Sequence, residues 1–202
     1  MAKEHKDNHL SDSDPDHELM KRIGSGDRAA FRQLVEKYQW MVMKTIYRYI
    51  GNHHEVEDLA QEIFFSVYRA AKRYTPQAKF STWLYRVVVN HCLNYRRKLK
   101  RGVVLTSIDN SSSGSERTSL QLSQPQDQQP EKLLEQQEIH ATLKRVISEL
   151  PDRQRIALIL YRFEGLSYKE IANVLGCSLS AVESLLFRAM TMLKEKLKPY
   201  NK

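Results

Sequence analysis

Apolar residues recur at spacings of three and four along two long blocks of this chain, and strict alternation appears in neither. That period belongs to the α-helix, so an all-α fold is expected before any motif is weighed. In the first block Phe31, Leu34, Val35, Tyr38, Val42, Ile46 and Tyr49 share a face of a helix that should stop at Gly51. Val56, Leu59, Ala60, Ile63, Phe64, Val67 and Ala71 mark a second, with Glu55, Glu57 and Asp58 in the first turn, where the helix dipole favours negative charge. Ser81 is the predicted cap of a third, whose Leu84, Val87, Val88, His91 and Tyr95 form the stripe to be buried. From Gly102 the period stops. The stretch "SSSGSERTSLQLSQPQDQQP" has too few apolar side chains to bury and reads as a linker. The period resumes near Leu133 and runs through Leu143, Val146, Ile147 and Leu150 to Pro151, and "DRQRIALILYRF" follows as a further helix. The expected architecture is two small helical domains joined by a flexible polar linker. The boundaries are a disordered acidic tail over 1–18, one domain over 19–101, the linker over 102–132 and a second domain over 133–202.

Within the second block, "SYKEIANVLGCSLSAVESLLFRA" writes two short amphipathic helices on either side of one Gly. Ser167 with Glu170, and Ser180 with Glu183, both have capping-box spacing, in which hydroxyl and carboxylate each satisfy an orphan backbone N–H. Ala172, Gly176, Val182 and Leu185 fall where a helix-turn-helix needs a small residue, a positive-φ turn and two locking apolar residues. On the second helix Val182, Leu185, Leu186, Ala189 and Leu193 share one side. Glu183, Ser184, Phe187, Arg188 and Thr191 share the other, a mixture of charge, hydroxyl and aromatic ring suited to base edges and phosphates in a major groove. A solvated face on an ordinary helical hairpin fits the same spacing.

Charge separates these readings further. Residues 21–101 hold 17 Lys/Arg against six acids and residues 141–202 hold 11 against six, whereas 1–20 and 102–140 each have two basic residues against six acids. Two basic blocks flanking an acidic spacer have the electrostatic layout of a two-module nucleic-acid binder. The stretch 72–101 is extreme, with nine Lys/Arg and no acid. Within it Trp83, Arg86, Asn90, Asn94 and Arg97 project inside a sector of about 80° on a helical wheel. Amides can bond base edges, a ring can stack on an unpaired base, and guanidiniums neutralise phosphate. The other reading makes Trp83 a partly buried core residue and the amides merely solubilising.

Several classes are left without support. Cys92 and Cys177 are isolated, and no Cys/His cluster has metal-ligand spacing, so neither a metal nor a disulfide framework is expected. His53 and His54 are adjacent in an expected turn, a poor chelating geometry. No carboxylate pair, nucleophile constellation or Gly-rich phosphate loop points to an enzyme, a cofactor or a small-molecule substrate. No signal peptide and no apolar run of membrane-spanning length is evident, so a cytoplasmic chain without direct membrane insertion is expected. A one-component regulator using its helix-turn-helix alone would have no need of the Trp/Asn face near 83–97.

With these stretches read, the sequence resembles the extracytoplasmic-function sigma factors of bacterial RNA polymerase. "AFRQLVEKYQWMVMKTIYRYIGN", "EDLAQEIFFSVYRAAKRY" and "FSTWLYRVVVNHCLNYRRKLKR" look like successive parts of that family's promoter-melting domain, and "LPDRQRIALILYRFEGLSYKEIANVLGCSLSAVESLLFRA" like its upstream-element domain. The resemblance implies that Asp58, Gln61 and Glu62 bind the clamp helices of the polymerase's largest subunit. It implies that Tyr74, Phe80, Trp83, Arg86, Asn90, Asn94 and Arg97 handle the minus-ten strand, from which an extruded base is captured. It implies that Ser180, Glu183, Ser184, Phe187 and Arg188 meet the minus-thirty-five element. The implied partners are core polymerase, promoter DNA and an anti-sigma factor, which could hold the protein at the membrane, and the implied spacer path runs toward the active-site cleft. Many relatives carry Lys or Arg where this chain has Glu183, Leu185 and Met190, so its recognition helix is less basic.

Overall fold

The computed structural model describes residues 14–51, 54–106 and 141–198, and every regular element among them is helical. The order is α1 (Pro15–Gly24), α2 (Arg28–Ile50), α3 (His54–Ala70), a short 3-10 turn (Ala71–Arg73) and α4 (Phe80–Thr106). After the interval come α5 (141–149), α6 (Asp152–Arg162), α7 (Tyr168–Leu175) and α8 (Leu179–Leu197).

Three of the expected starts and stops coincide with the observed ones. Gly51 ends α2 at φ 80°, with its N–H donating to the Tyr47 carbonyl. Gly176 ends α7 at φ 60°, and the Ser167–Glu170 capping box at its start is complete. A left-handed cap of this kind favours Gly, whose missing Cβ removes the clash.

Four boundaries differ. The expected tail over 1–18 overlaps α1, which begins at Pro15 and is capped by Asp14 accepting from the Asp16 N–H. Acidic composition suggested a solvated segment, yet Asp16 and His17 are buried, and Asp16 is paired with Lys37. Helix α4 begins at Phe80 rather than at a Ser81 cap, because the Phe80 N–H is satisfied from a distance by Asp14 Oδ2 at 3.0 Å. The same helix runs past the expected end of the first domain to Thr106. In α8 the cap is Ser178, whose Oγ accepts the Ala181 N–H at 3.2 Å. Ser180 lies inside the helix with its hydroxyl 3.0 Å from that of Ser178, so the expected Ser180–Glu183 box does not form. The rest of the expected linker, and the helix start near Leu133, lie outside the described residues.

The core joins the two halves of the chain. Leu34, Val42, Ile46, Ile63, Leu84 and Val88 from the first half are continuous with Ile156, Ile159, Leu160, Leu166, Ile171 and Val174 from the second. A smaller cluster of Val146, Leu150, Leu158, Ala189 and Leu193 closes the far side. Because α7 also packs on α4, the buried surface of α4 is wider than the expected stripe. Phe80, Thr82, Leu84, Tyr85, Val88, Val89 and Cys92 are buried, while Val87, His91 and Tyr95 are only half-buried.

Polar contacts pin the halves together. Arg155 is buried, and its guanidinium donates to the carbonyls of Tyr49, Ile147, Ser148 and Leu150, which gathers the end of α2 and the α5–α6 corner around one cation. Glu164 accepts from Arg48 Nη1 at 2.7 Å and from the Tyr85 hydroxyl at 3.1 Å. Asp152 pairs with Lys100 at 2.6 Å and Arg96 at 3.3 Å.

Candidate functional site

Three surfaces carry the residues singled out in the sequence. On α3, Asp58, Gln61 and Glu62 are all exposed on one side, as helical spacing of three and four requires. Beneath them lies a shallow cleft lined by Glu55, Asp58, Leu59, Glu62, His91, Tyr95 and Lys98. His91 Nε2 is 3.0 Å from the Ser66 hydroxyl and Nδ1 is 3.9 Å from Glu62. Burial lowers the His91 imidazole from its ordinary value of 6.5, against the opposing pull of Glu62. The ring is thus kept largely neutral, and the patch stays negative on a basic surface.

The second surface is the entry to α4 and its outward face. Tyr74, Phe80 and Trp83 form one ring cluster, with centroids 5.0 Å apart for Tyr74–Trp83 and 5.5 Å for Phe80–Trp83. Phe80 is fully buried and closes the base of the cluster against Tyr38, whereas Tyr74 and Trp83 are half-buried. The Tyr74 hydroxyl is buried with no hydrogen-bond partner. Burial, with Asp14 and Asp16 nearby, pushes its pKa up to about 12, so the hydroxyl keeps its proton and remains a donor. Along α4, Arg86, Asn90, Asn94 and Arg97 are exposed in a row. Arg97 Nη1 donates to Asn94 Oδ1 at 2.9 Å, which orients that amide. Arg86 is engaged differently: its Nε donates to the Asn173 carbonyl of α7 at 3.0 Å. The Trp83 ring packs on the cluster and still reaches the surface.

The third surface is the helix pair α7–α8, whose axes turn through 101° across the break at 176–178. That is the crossing of a helix-turn-helix. Val182, Leu186, Ala189 and Leu193 are buried and Leu185 half-buried, as the spacing requires. Ser180, Glu183, Ser184, Phe187 and Arg188 are exposed. Phe187 is 73% exposed, too open for a core residue, and Leu179 and Met190 are also exposed beside it. The Ser184 hydroxyl donates back to the Ser180 carbonyl at 2.9 Å.

Sequence reading missed the part of α1 in the second surface. Asp14 and His17 both contact the segment leading into α4, and His17 is buried. The overlooked signal was Asp14–Pro15, an N-cap followed by the proline favoured in a first turn. Among the described residues no group of three His, Cys, Asp or Glu is placed to hold a metal, and no single helix is long and apolar enough to cross a membrane.

Comparison with known proteins agrees with this layout. Residues 34–102 match Sigma-70 region 2, and residues 140–193 match Sigma-70, region 4. The RNA polymerase sigma-H factor of Pseudomonas aeruginosa is 35% identical over 184 residues, covering 91% of this chain and 94% of that protein. The ECF RNA polymerase sigma-E factor of Escherichia coli is 33% identical over 195 residues, covering 94% and 98%. In fold, the chain is similar to CnrH, solved in complex with the cytosolic domain of CnrY, at a TM-score of 0.64 and 23% identity over 92% of this chain and 99% of that one. It is also similar to the sigma factor RpoE of Bartonella quintana, solved with the anti-sigma factor NepR, at 0.62 and 22% over 83% and 96%. Full-length identity above 30%, both sigma regions in order and the shared fold lead to one conclusion: the chain belongs to the extracytoplasmic-function sigma factors of bacterial RNA polymerase, proteins that confer promoter-specific initiation on the enzyme in the cytoplasm and are not themselves enzymes.

Proposed function

We propose that the three surfaces divide the work of promoter opening. Asp58, Gln61 and Glu62 dock the clamp helices of core polymerase. Tyr74, Phe80, Trp83, Arg86, Asn90, Asn94 and Arg97 capture the minus-ten strand. Ser180, Glu183, Ser184, Phe187 and Arg188 hold the minus-thirty-five duplex. The first two functions belong to the domain over 19–101, braced by α1, the third to the domain over 133–202, and the segment 102–132 connects them toward the active-site cleft. An anti-sigma factor that anchors the protein at the membrane is a further proposed partner, supported by the complexes in which CnrH and the Bartonella quintana factor were solved.

The observation that supports this most is the exposed amide and cation row on α4 beginning beside a ring cluster with an unpaired donor. A duplex-only binder has no use for such a combination. Extruding a base costs a few kcal/mol, and a pocket rewarding the unstacked base lets melting proceed without ATP. The test uses Asn90→Ala and Asn94→Ala in open-complex assays on duplex and on pre-melted bubble templates. A defect on duplex that shrinks on the bubble is expected. Equal defects on both would mean that the amides contribute base preference rather than melting.

A further inference from the structure

The segment from Ala71 to Phe80 delivers the ring cluster, and α1 lies along its length. At the start of the segment, Gly24 approaches the backbone so closely that a Cβ there would sit 2.8 Å from the Ala71 carbonyl oxygen. Further along, His17 Nε2 is 3.2 Å from the Ala78 carbonyl oxygen. A carbonyl can only accept, so Nε2 carries the proton and donates. At the end, Asp14 Oδ2 accepts the Phe80 N–H at 3.0 Å and supplies the cap that α4 would otherwise lack. The His17 and Tyr74 rings are 5.8 Å apart. The two α1 residues also hold each other: the His17 N–H donates to the Asp14 carbonyl at 2.9 Å, and Nε2 is 3.7 Å from Asp14 Oδ2. Helix α1 is itself fixed by Asp16, which accepts from Lys37 at 2.6 Å and from the Tyr38 hydroxyl. Residues 14 and 17 both precede the part of the chain that matches region 2.

We propose that Asp14 and His17 are positioning residues for capture of the minus-ten strand. They fix residues 78–80, and through them the Tyr74–Phe80–Trp83 cluster, in the geometry that receives an unstacked base. Neither touches DNA. This inference rests on the proposed role of the cluster and adds to it the device that holds the cluster open to its ligand. Without the two hydrogen bonds the loop becomes ordered only on binding, and that ordering is subtracted from affinity.

The test uses the full chain and a single-stranded DNA selected by that chain from a randomised pool, together with copies of the strand made abasic at each position in turn. Wild type is expected to lose affinity sharply when one particular base is removed. Asp14→Ala and His17→Ala are expected to bind the intact strand about tenfold more weakly and the abasic strand as wild type does, with unchanged affinity for core polymerase. His17→Gln, which keeps a donor near Nε2, and Asp14→Asn, which keeps an acceptor, should restore most of the discrimination. If wild type is indifferent to every abasic site, the base-capture role fails and this inference with it. If wild type discriminates and Asp14→Ala and His17→Ala discriminate equally well, the cluster role stands and the positioning role is overturned.

Discussion

Two serines two positions apart show where a sequence gives out at the scale of single residues. Ser178 and Ser180 each precede an apolar run, and only Ser180 has an acid three residues on. The capping-box pattern therefore pointed to Ser180, whereas the backbone enters the helix two residues earlier, and Ser178 takes the extended cap conformation at ψ 160°. Which of the two candidates caps depends on how the turn from Gly176 is set, and that is tertiary geometry. Ser178→Ala should destabilise the chain by about 1 kcal/mol in chemical denaturation, and Ser180→Ala by well under that. Glu183, freed from any capping duty, becomes a test of readout. Glu183→Ala should leave stability within about 0.5 kcal/mol of wild type while relaxing preference at one upstream-element base pair, as selection from randomised promoters would register. At Tyr74 the opposite trade is expected. Removing an unsatisfied buried hydroxyl relieves its desolvation, so Tyr74→Phe should raise stability by about 1 kcal/mol. Single-strand binding should fall if the base takes up that donor.

Elements were legible where their own residues set their ends, and illegible where a distant segment does. Helix α2 stops at Gly51 and α7 at Gly176 because Gly takes the left-handed cap within the local sequence. Helix α4 starts where Asp14 caps it, 66 residues away, so no local pattern could have placed that start. Helix α1 was hidden for the same reason: its acids look solvated until Lys37 and Tyr38 are seen to receive Asp16. The close approach of α1 to the 3-10 turn makes a sharp prediction. In Gly24→Ala the new Cβ meets a backbone carbonyl that cannot rotate away, so α1 must shift, at about 1–3 kcal/mol. Denaturant midpoints check the size, and proteolysis near residue 74 should quicken in the variant. On α3, Asp58→Ala with Gln61→Ala should weaken core polymerase binding at unchanged helicity, by about 2 kcal/mol if the pair sits at an interface centre. Native affinity in a competition assay would remove Asp58 and Gln61 from the docking surface.

The two domains pack against each other through one continuous core, which no local pattern could foretell. Periodicity shows which face of a helix is buried but not what covers it. The apolar face of α6 meets the first half, and Arg155, an unremarkable cation in "DRQRIALILYRF", is the buried hub that ties α2 to the α5–α6 corner. Part of the docking is acid-sensitive. Burial pushes the Asp152 carboxyl up, but the hydrogen bond from Lys100 and the charges of Arg96, Lys100 and Arg155 outweigh it and hold it below the ordinary 3.8. A depressed carboxylate adds stability that is present above its unfolded pKa and is lost as pH falls through the folded one. Docking through Asp152 should thus hold at neutral pH and fail only below about pH 4, and Asp152→Asn should flatten that acid limb.

The docked arrangement also bears on function through Arg86, which cannot hold the Asn173 carbonyl and a promoter phosphate with the same donors. The link that can be removed without touching the strand-binding row is Glu164, whose side chain is 5% exposed and ties the second half to Arg48 and Tyr85 of the first. Deleting one member of a buried ion pair leaves its partners desolvated and unpaired, typically at 3–5 kcal/mol; because Arg48 retains some access to water, about 3 kcal/mol is expected here. That loss falls on the docked state and spares the undocked one. If strand binding draws on the undocked fraction, its apparent affinity is the intrinsic affinity scaled by that fraction, and it rises as docking weakens. Glu164→Ala should therefore enlarge the radius of gyration in solution scattering, split or broaden the thermal transition, and strengthen binding of single-stranded DNA. The double variant with Arg86→Ala should keep the larger radius and lose the gain in binding. A Glu164→Ala chain that expands yet binds the strand no better would show that docking leaves the strand-binding row as accessible as in the open form.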